Sequence, residues 1–142
     1  MYAFNYHRPS SLAEAATALA NPDAKLLAGG HTLLPTMKLR LAAPKVLVDL
    51  SRIAELRGID KKGNAVVTGA RTPHAEVASS AVVRGAIPGL CEVAHGIGDP
   101  HVRHRGTIGG SVANNDPAAD YPGAVLALNA TVTTNKRDIK AD

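Results

Sequence analysis

Several absences narrow the possibilities for this 142-residue chain before any motif is considered. It has a single cysteine, Cys91, and no tryptophan. One thiol cannot form an internal disulfide, and without a cysteine cluster there is no place for an iron–sulfur centre or a structural zinc. Aromatic side chains make up 3% of the residues, so alanine and short aliphatics must fill the core. The same scarcity, with basic residues scattered along the chain, removes the stacking platforms and dense basic patches of nucleic-acid binders. No apolar run approaches the roughly 18 residues of a membrane span. The N-terminus lacks the charged-then-apolar pattern of a secretory signal. A cytoplasmic protein with no nucleic-acid partner and no membrane span is the expectation. Neither Gly-x-Gly-x-x-Gly nor a Walker lysine motif occurs, which excludes Rossmann and P-loop nucleotide sites. No Gly-x-Ser-x-Gly elbow supports a hydrolase triad.

What is present is an ordinary globular composition. Apolar residues make up 45% and charged residues 20%, enough for a core and room for one domain or part of one. The net charge of +4 suits an anionic small molecule or an acidic partner surface, and serves solubility equally.

The chain order predicts a parallel β-α-β unit at the start. Residues 2–6 read as an edge strand. Ser11 and Glu14 form a capping box for a helix running to Ala20, stopped by Asn21-Pro22. Residues 25–28 read as a buried strand, 29–32 as a tight glycine turn, 33–41 as a helix and 45–50 as a second strand. The texture then changes. Residues 61–64 carry hairpin chemistry between two short strands. Helices are expected from Thr72-Pro73 to Ala78, from Pro88 to His95 and over 117–128. Residues 96–105 read as a loop and 107–110 as a second glycine turn. A strand over 130–134 and a turn at 135–137 leave five residues, so the chain is expected to stop where a return strand should begin. A boundary near 50–56 divides residues 1–54 from 55–142.

Two motifs bear chemistry. Gly29-Gly30-His31-Thr32 joins a strand to a helix, where exposed N–H groups and the helix dipole favour a phosphate. A glycine pair at that position also serves simply as a turn. Thr107-Ile108-Gly109-Gly110-Ser111 repeats the pattern, so two such turns can clamp the two phosphates of a dinucleotide. Asp116 and Asp120 follow, and acidic residues hold sugar hydroxyls in other dinucleotide sites. His101 and His104, near Asp99, have no diagnostic metal spacing and read as solvated loop histidines beside Arg103 and Arg105. Cys91 reads as a small buried hydrophobe.

Three segments together resemble a known family. Residues 28–40 (AGGHTLLPTMKLR), 69–72 (GART) and 105–122 (RGTIGGSVANNDPAADYP) are similar to the FAD-binding medium subunit of molybdenum hydroxylases, of the carbon monoxide dehydrogenase and xanthine dehydrogenase type. The likeness runs over essentially the whole chain. It implies an α+β, PCMH-type FAD-binding domain: a small N-terminal β-α-β subdomain and a larger α+β subdomain, here truncated. It implies non-covalent FAD, with the first loop as Leu26, Leu27, Ala28, Gly29, Gly30, His31, Thr32 and Leu33. The second loop is Thr107, Ile108, Gly109, Gly110 and Ser111. Both are expected on the pyrophosphate. Asp120 is expected on FAD hydroxyls, Ile97 in apolar packing near the cofactor, and Gly69, Ala70 and Thr72 in a lining segment. No catalytic residue and no metal ligand is expected from this chain. The partners implied are a small subunit with 2Fe–2S clusters and a large subunit with the molybdenum cofactor. Electrons would pass from the clusters through the flavin to an external acceptor. His104 departs from the asparagine common in the family. The family's further strands and C-terminal domain have no counterpart here, which gives the alternative of a truncated nucleotide-binding module or a structural fragment.

Overall fold

A computed structural model describes residues 1–142. The first unit is a parallel sheet with two helices. Strand β1 spans Asn5–His7, helix α1 Leu12–Ala18, β2 Ala24–Leu27, α2 Leu33–Lys38 and β3 Val46–Asp49. The sheet order is β1-β3-β2 with both pairs parallel, so β3 is central. Its Leu47 and Val48 are buried, and Val48 is completely inaccessible. β1 starts three residues later than the sequence predicts. β2 is not the buried strand expected, because it lies at a sheet edge: only Ala24 is buried, and Leu26 is 44% exposed.

Local chemistry sets the helix starts. The Ser11 hydroxyl accepts the Glu14 N–H at 3.2 Å, capping α1. The returning bond goes one residue earlier than in a standard capping box: Glu14 accepts from the Ser10 N–H at 2.8 Å. Two 3₁₀ turns, Leu50–Arg52 and Ala54–Leu56, lead out of the sheet.

The second unit opens with an antiparallel hairpin, β4 (Ile59–Lys62) and β5 (Ala65–Thr68). Gly63 takes φ +61 at the first position of its two-residue loop, a backbone that glycine adopts without strain. Helices α3 (His74–Ser79), α4 (Ala81–Ala86), α5 (Pro88–Gly96), α6 (Pro100–Arg105), α7 (Ile108–Asn114) and α8 (Asp120–Ala127) follow. The expected loop over 96–105 is corrected in its second half. Asp99 accepts the Val102 N–H at 2.9 Å and Pro100 occupies the first helical position, so Asp-Pro starts α6 rather than breaking structure. The 107–110 turn is the cap and first turn of α7. A closing hairpin pairs β6 (Thr131–Thr133) with β7 (Asp138–Lys140). The return strand expected to be missing is therefore present, three residues long.

Two hydrophobic clusters hold the molecule. Ala15, Ala24, Val48 and Ile53 form the first, under the parallel sheet. Val77, Val83, Leu90, Cys91, Ala94 and Tyr121 form the second, among α3, α4, α5 and α8. Cys91 is fully buried, with Sγ 3.4 Å from the Val77 carbonyl oxygen. No helix is long and apolar enough to cross a membrane.

Candidate functional site

The carboxyl ends of the three parallel strands open on one edge of the sheet, the place where ligands sit in open α/β sheets. The chain leaves β1 at Arg8, β2 at Ala28 and β3 at Leu50. The first glycine loop forms here. Gly30 takes φ +77, and a Cβ there would press on Leu34 and Leu27. None of the N–H groups of Gly29, Gly30, His31, Thr32 and Leu33 donates a hydrogen bond within the chain. The helical ladder of α2 begins with the Leu34 N–H donating to Gly30 O at 3.1 Å, and Pro35 sits in the first turn. His31 and Thr32 are exposed, and Gly29, Gly30 and Leu33 are half-buried. The His31 ring lies back over the loop with Nδ1 3.2 Å from the Gly29 carbonyl oxygen.

The second loop is built differently. The Ile108 N–H donates to Thr72 O (3.1 Å), Gly109 N–H to Ala70 O (2.9 Å) and Ser111 N–H to Thr107 O (3.0 Å). The Gly110 N–H is taken by the Thr107 hydroxyl at 3.1 Å. Its amides are thus committed to the chain itself, apart from that of Thr107. Ala70 and Thr72 act as its clamp, while Gly69 packs against Leu56 and Arg57. The Thr72 hydroxyl both donates to Gly58 O (3.0 Å) and accepts from Gly58 N–H (3.1 Å), fixing the clamp to the hairpin.

The glycines allow the two loops to touch. A Cβ at Gly29 would lie 2.8 Å from the Gly106 Cα and closer still to the Arg105 carbonyl oxygen. One at Gly109 would lie 2.5 Å from the Ala70 Cβ. One at Gly110 would meet the Thr107 Oγ1 at 2.7 Å. Gly29 and Gly109 serve close backbone approach between segments of the protein, and Gly110 makes room for the Thr107 cap.

A cleft of about 350 Å³ runs between the loops, with Ala28 and Gly29 on one wall and Arg105 and Thr107 on the other. Arg8, Arg57 and Arg71 also line it, as do Tyr6 and Asp49. Burial works against ionisation of Asp49, yet hydrogen bonds from the Tyr6 hydroxyl and the Ser51 N–H hold its carboxyl below the usual range. Burial, then the like charges of Arg57, Arg8 and Arg105, weaken the hold of Arg71 on its proton. Arg57 is neutralised by Glu76, to which it donates through its guanidinium.

Beneath the second loop lies a buried polar pair. His74 is 5% exposed and Tyr121 is fully buried, with ring centroids 5.2 Å apart. His74 Nδ1 and the Tyr121 hydroxyl have no hydrogen-bond partner in the chain. Burial, with the nearby His31, lowers the His74 pKa to about 4, while Asp120 opposes the shift. Burial likewise pushes the Tyr121 hydroxyl up.

The structure therefore brings Gly29 against Arg105 and Gly106 and leaves Asp120, exposed at the start of α8, within electrostatic reach of His74. Ile97 is half-buried and packs against the second hydrophobic cluster. His101 and His104 lie on α6, not in a loop, and no group of three potential ligands gathers around them. The sequence reading missed Arg8, Asp49, Arg57 and Arg71. Arg8 and Asp49 were findable, since each closes a predicted or neighbouring strand. Arg57 and Arg71 reach the cleft only through tertiary packing.

Comparison with known proteins agrees with this architecture. The model of the FAD-binding domain in molybdopterin dehydrogenases matches residues 2–141. The chain is 50% identical over 129 residues to the carbon monoxide dehydrogenase medium chain of Hydrogenophaga pseudoflava, covering 89% of this chain and 45% of that one. It is 45% identical over 129 residues to the corresponding chain of Afipia carboxidovorans, with the same coverage of 89% and 45%. The solved carbon monoxide dehydrogenase of Hydrogenophaga pseudoflava that lacks the Mo-pyranopterin moiety superposes with a TM-score of 0.95 at 47% identity, over 99% of this chain and 51% of that one. The chain spans about half the length of the curated relatives it matches. On the match over residues 2–141, it belongs to the family of FAD-binding domains of molybdopterin dehydrogenases.

Proposed function

We propose that this chain holds FAD non-covalently and is the flavin-binding part of a medium subunit in a molybdenum hydroxylase. The observation that carries this reading is the run of uncommitted N–H groups from Gly29 to Leu33, beside a cationic cleft at the carboxyl edge of the parallel sheet. Successive free amides at a helix start bind phosphate oxygens, and the FAD pyrophosphate supplies such oxygens. The residues present fit that group. Leu26, Leu27 and Ala28 place the loop, Gly30 gives it its left-handed backbone, and Thr32 adds a hydroxyl donor. In the second loop, Thr107 N–H and the Ser111 hydroxyl are the donors left for the cofactor. Ile108 and Gly109 instead tie α7 to residues 70–72, and the Gly110 N–H is taken by the Thr107 hydroxyl. Asp120 would accept from the cofactor's hydroxyls, and Ile97 would pack near it. Residues 1–54 and 55–142 form the two walls of the site.

When bound, FAD supplies the redox chemistry. The protein's own work is to fix the nucleotide, neutralise its charge and set the field around it. In the assembled enzyme, electrons would come from the 2Fe–2S clusters of a small subunit and leave to an external acceptor. The substrate would be oxidised at molybdenum in a large subunit of a cytoplasmic complex. The names of the relatives, medium chains of dehydrogenases, support this role.

The test is made in the assembled complex. A Gly30→Val substitution puts a β-branched residue at φ +77 and should empty the site of flavin. Substrate should still reduce the iron–sulfur clusters, while turnover with the external acceptor stops. If acceptor turnover persists without flavin, the relay reading is wrong. If ADP displaces FAD at equal affinity and no flavin reduction follows substrate addition, the chain is a nucleotide-binding module without a redox role.

A further inference from the structure

We infer that the corner at the end of α2, Lys38 to Leu41 with Tyr2 beside it, is a docking surface for a protein that presents a carboxylate among apolar side chains. The identity of that protein rests on the proposed function: it is a partner subunit of the same assembly. The corner stands apart from the cofactor site. The first glycine loop starts α2 and the corner ends it, roughly 9 Å further on at 1.5 Å per residue.

Leu39 is 70% exposed and Leu41 77%, the two most exposed large apolar side chains of the molecule, and Tyr2 is 52% exposed. Single exposed leucines are ordinary, but two around one cation, beside an exposed tyrosine, form a patch. The backbone points the same way. Helix α2 ends in a Schellman motif: the Leu41 N–H donates to Thr36 O at 3.0 Å and the Arg40 N–H to Met37 O at 3.1 Å. That motif holds Arg40 at φ +61, a left-handed position that glycine occupies without strain. It also commonly folds its last apolar side chain back on the helix, whereas Leu41 is turned out to solvent. Neither the choice of arginine nor the exposure of Leu41 serves the turn itself.

Charge says what the patch would meet. Residues 24–48 contain Lys25, Lys38, Arg40 and Lys45 and no Asp or Glu. The 16 Lys and Arg of the chain exceed its 12 Asp and Glu by four, so this span carries the equivalent of the whole net charge of +4. Lys45 is paired with Asp23 at 3.2 Å. Lys38 and Arg40 meet no carboxylate. The Arg40 guanidinium lies over the Tyr2 ring, 5.5 Å from its centroid, a contact that orients the fork and spends none of its N–H donors. An oriented guanidinium between two leucines matches a carboxylate set in apolar surface, and arginine and tyrosine are the side chains on which protein interfaces depend most. A second copy of this chain would bring the same positive charge against itself. A membrane-binding surface draws on about four to eight clustered cations or a long amphipathic helix. This corner has two unpaired cations after a helix of six residues.

The test is reconstitution of the assembly from this protein and the purified iron–sulfur and molybdenum subunits, followed by sedimentation velocity. The variants are Arg40→Glu, Leu41→Asn and Arg40→Gly. Lys61→Glu, exposed on the β4–β5 hairpin, is the control for charge alone. Arg40→Glu and Leu41→Asn should each weaken assembly by about 10-fold or more, and Lys61→Glu should leave it unchanged. Arg40→Gly separates docking from folding: relief of the left-handed strain should hold or raise its urea midpoint while its assembly weakens. A lowered midpoint with assembly intact would make Arg40 a structural residue and overturn the inference. So would Arg40→Glu and Leu41→Asn variants that assemble as the parent does. Self-association, or binding to phosphatidylserine vesicles, that is lost in Arg40→Glu while assembly is unaffected also overturns it. Flavin content reads the proposed function separately. A parent that binds FAD yet forms no complex overturns the docking surface alone. A parent that assembles through Arg40 but binds no FAD keeps the docking surface and overturns the flavin reading.

Discussion

Replacing Gly29 with alanine should drive the two glycine loops apart. The new Cβ would sit 2.8 Å from the Gly106 Cα, with the Arg105 carbonyl nearer still. Ordinary carbon–carbon contact needs about 3.5–4.0 Å, so a backbone must move by roughly 1 Å. The second loop is not free to do so: Gly106 N–H donates to Val102 O at 2.7 Å, and Gly106 O accepts from His74 N–H at 3.0 Å. Overpacking against fixed backbone costs about 1–3 kcal/mol, and loss of one such bond adds about 1. The lower entropy of alanine in the unfolded chain offsets about 0.4–1 kcal/mol. The net expectation is a loss of about 2 kcal/mol. Urea denaturation at neutral pH measures it, with Gly123→Ala as the control. Gly123 lies inside α8 with nothing within 4 Å of its added Cβ, so that variant should gain about 0.5–1 kcal/mol. If Gly29→Ala is as stable as the parent while the control behaves, the loops are not held in contact as described.

His74 makes stability pH-dependent. Its folded pKa is about 4 against an unfolded value near 6.5, so the unfolded chain binds the proton first as pH falls. Stability should therefore decline from about pH 6.5 to pH 4, by up to about 3 kcal/mol. A His74→Gln variant should flatten that slope, and a flat profile in the parent would refute the buried neutral imidazole. Tyr121→Phe removes a buried hydroxyl without a partner, so stability should hold or rise by about 1 kcal/mol. A fall of that size would mean that ordered water satisfies the hydroxyl. Thr107→Val deletes the side-chain cap of α7 while nearly keeping its volume. It should cost about 1 kcal/mol in the same denaturation assay, and an unchanged midpoint would show that the Gly110 N–H finds another acceptor.

The parts of the fold that follow from local chemistry were legible in the sequence. Ser11 and Glu14 announced α1, Gly63-Asn64 announced the hairpin, and the strand–turn–helix order around Gly30 announced the parallel unit. Helix α6 was missed because Gly98 and Pro100 are loop formers when read singly, while Asp99-Pro100 read together is a cap and a first helical residue. The short α4 carries no periodic pattern long enough to register, although Ser80 caps it through the Val83 N–H. The site divides the same way. Free amides at 29–33 follow from glycine, strand end and helix start, all local. The amides of Gly110 and Ser111 are taken locally by Thr107, but that those of Ile108 and Gly109 are occupied depends on Thr72 and Ala70, nearly forty residues earlier, and no local pattern carries it. The cationic cleft is tertiary in the same sense, since Arg8, Arg71 and Arg105 meet only after folding.

The central claim is that the uncommitted amides of Gly29 to Leu33 and the adjoining cleft hold FAD. The most direct measurement is a titration of the purified protein with FAD, followed by flavin fluorescence, with circular dichroism on the same sample. The account predicts a folded protein and saturable binding, lost in Gly30→Val and retained in Gly123→Ala. A folded protein that shows no saturable FAD binding would contradict it.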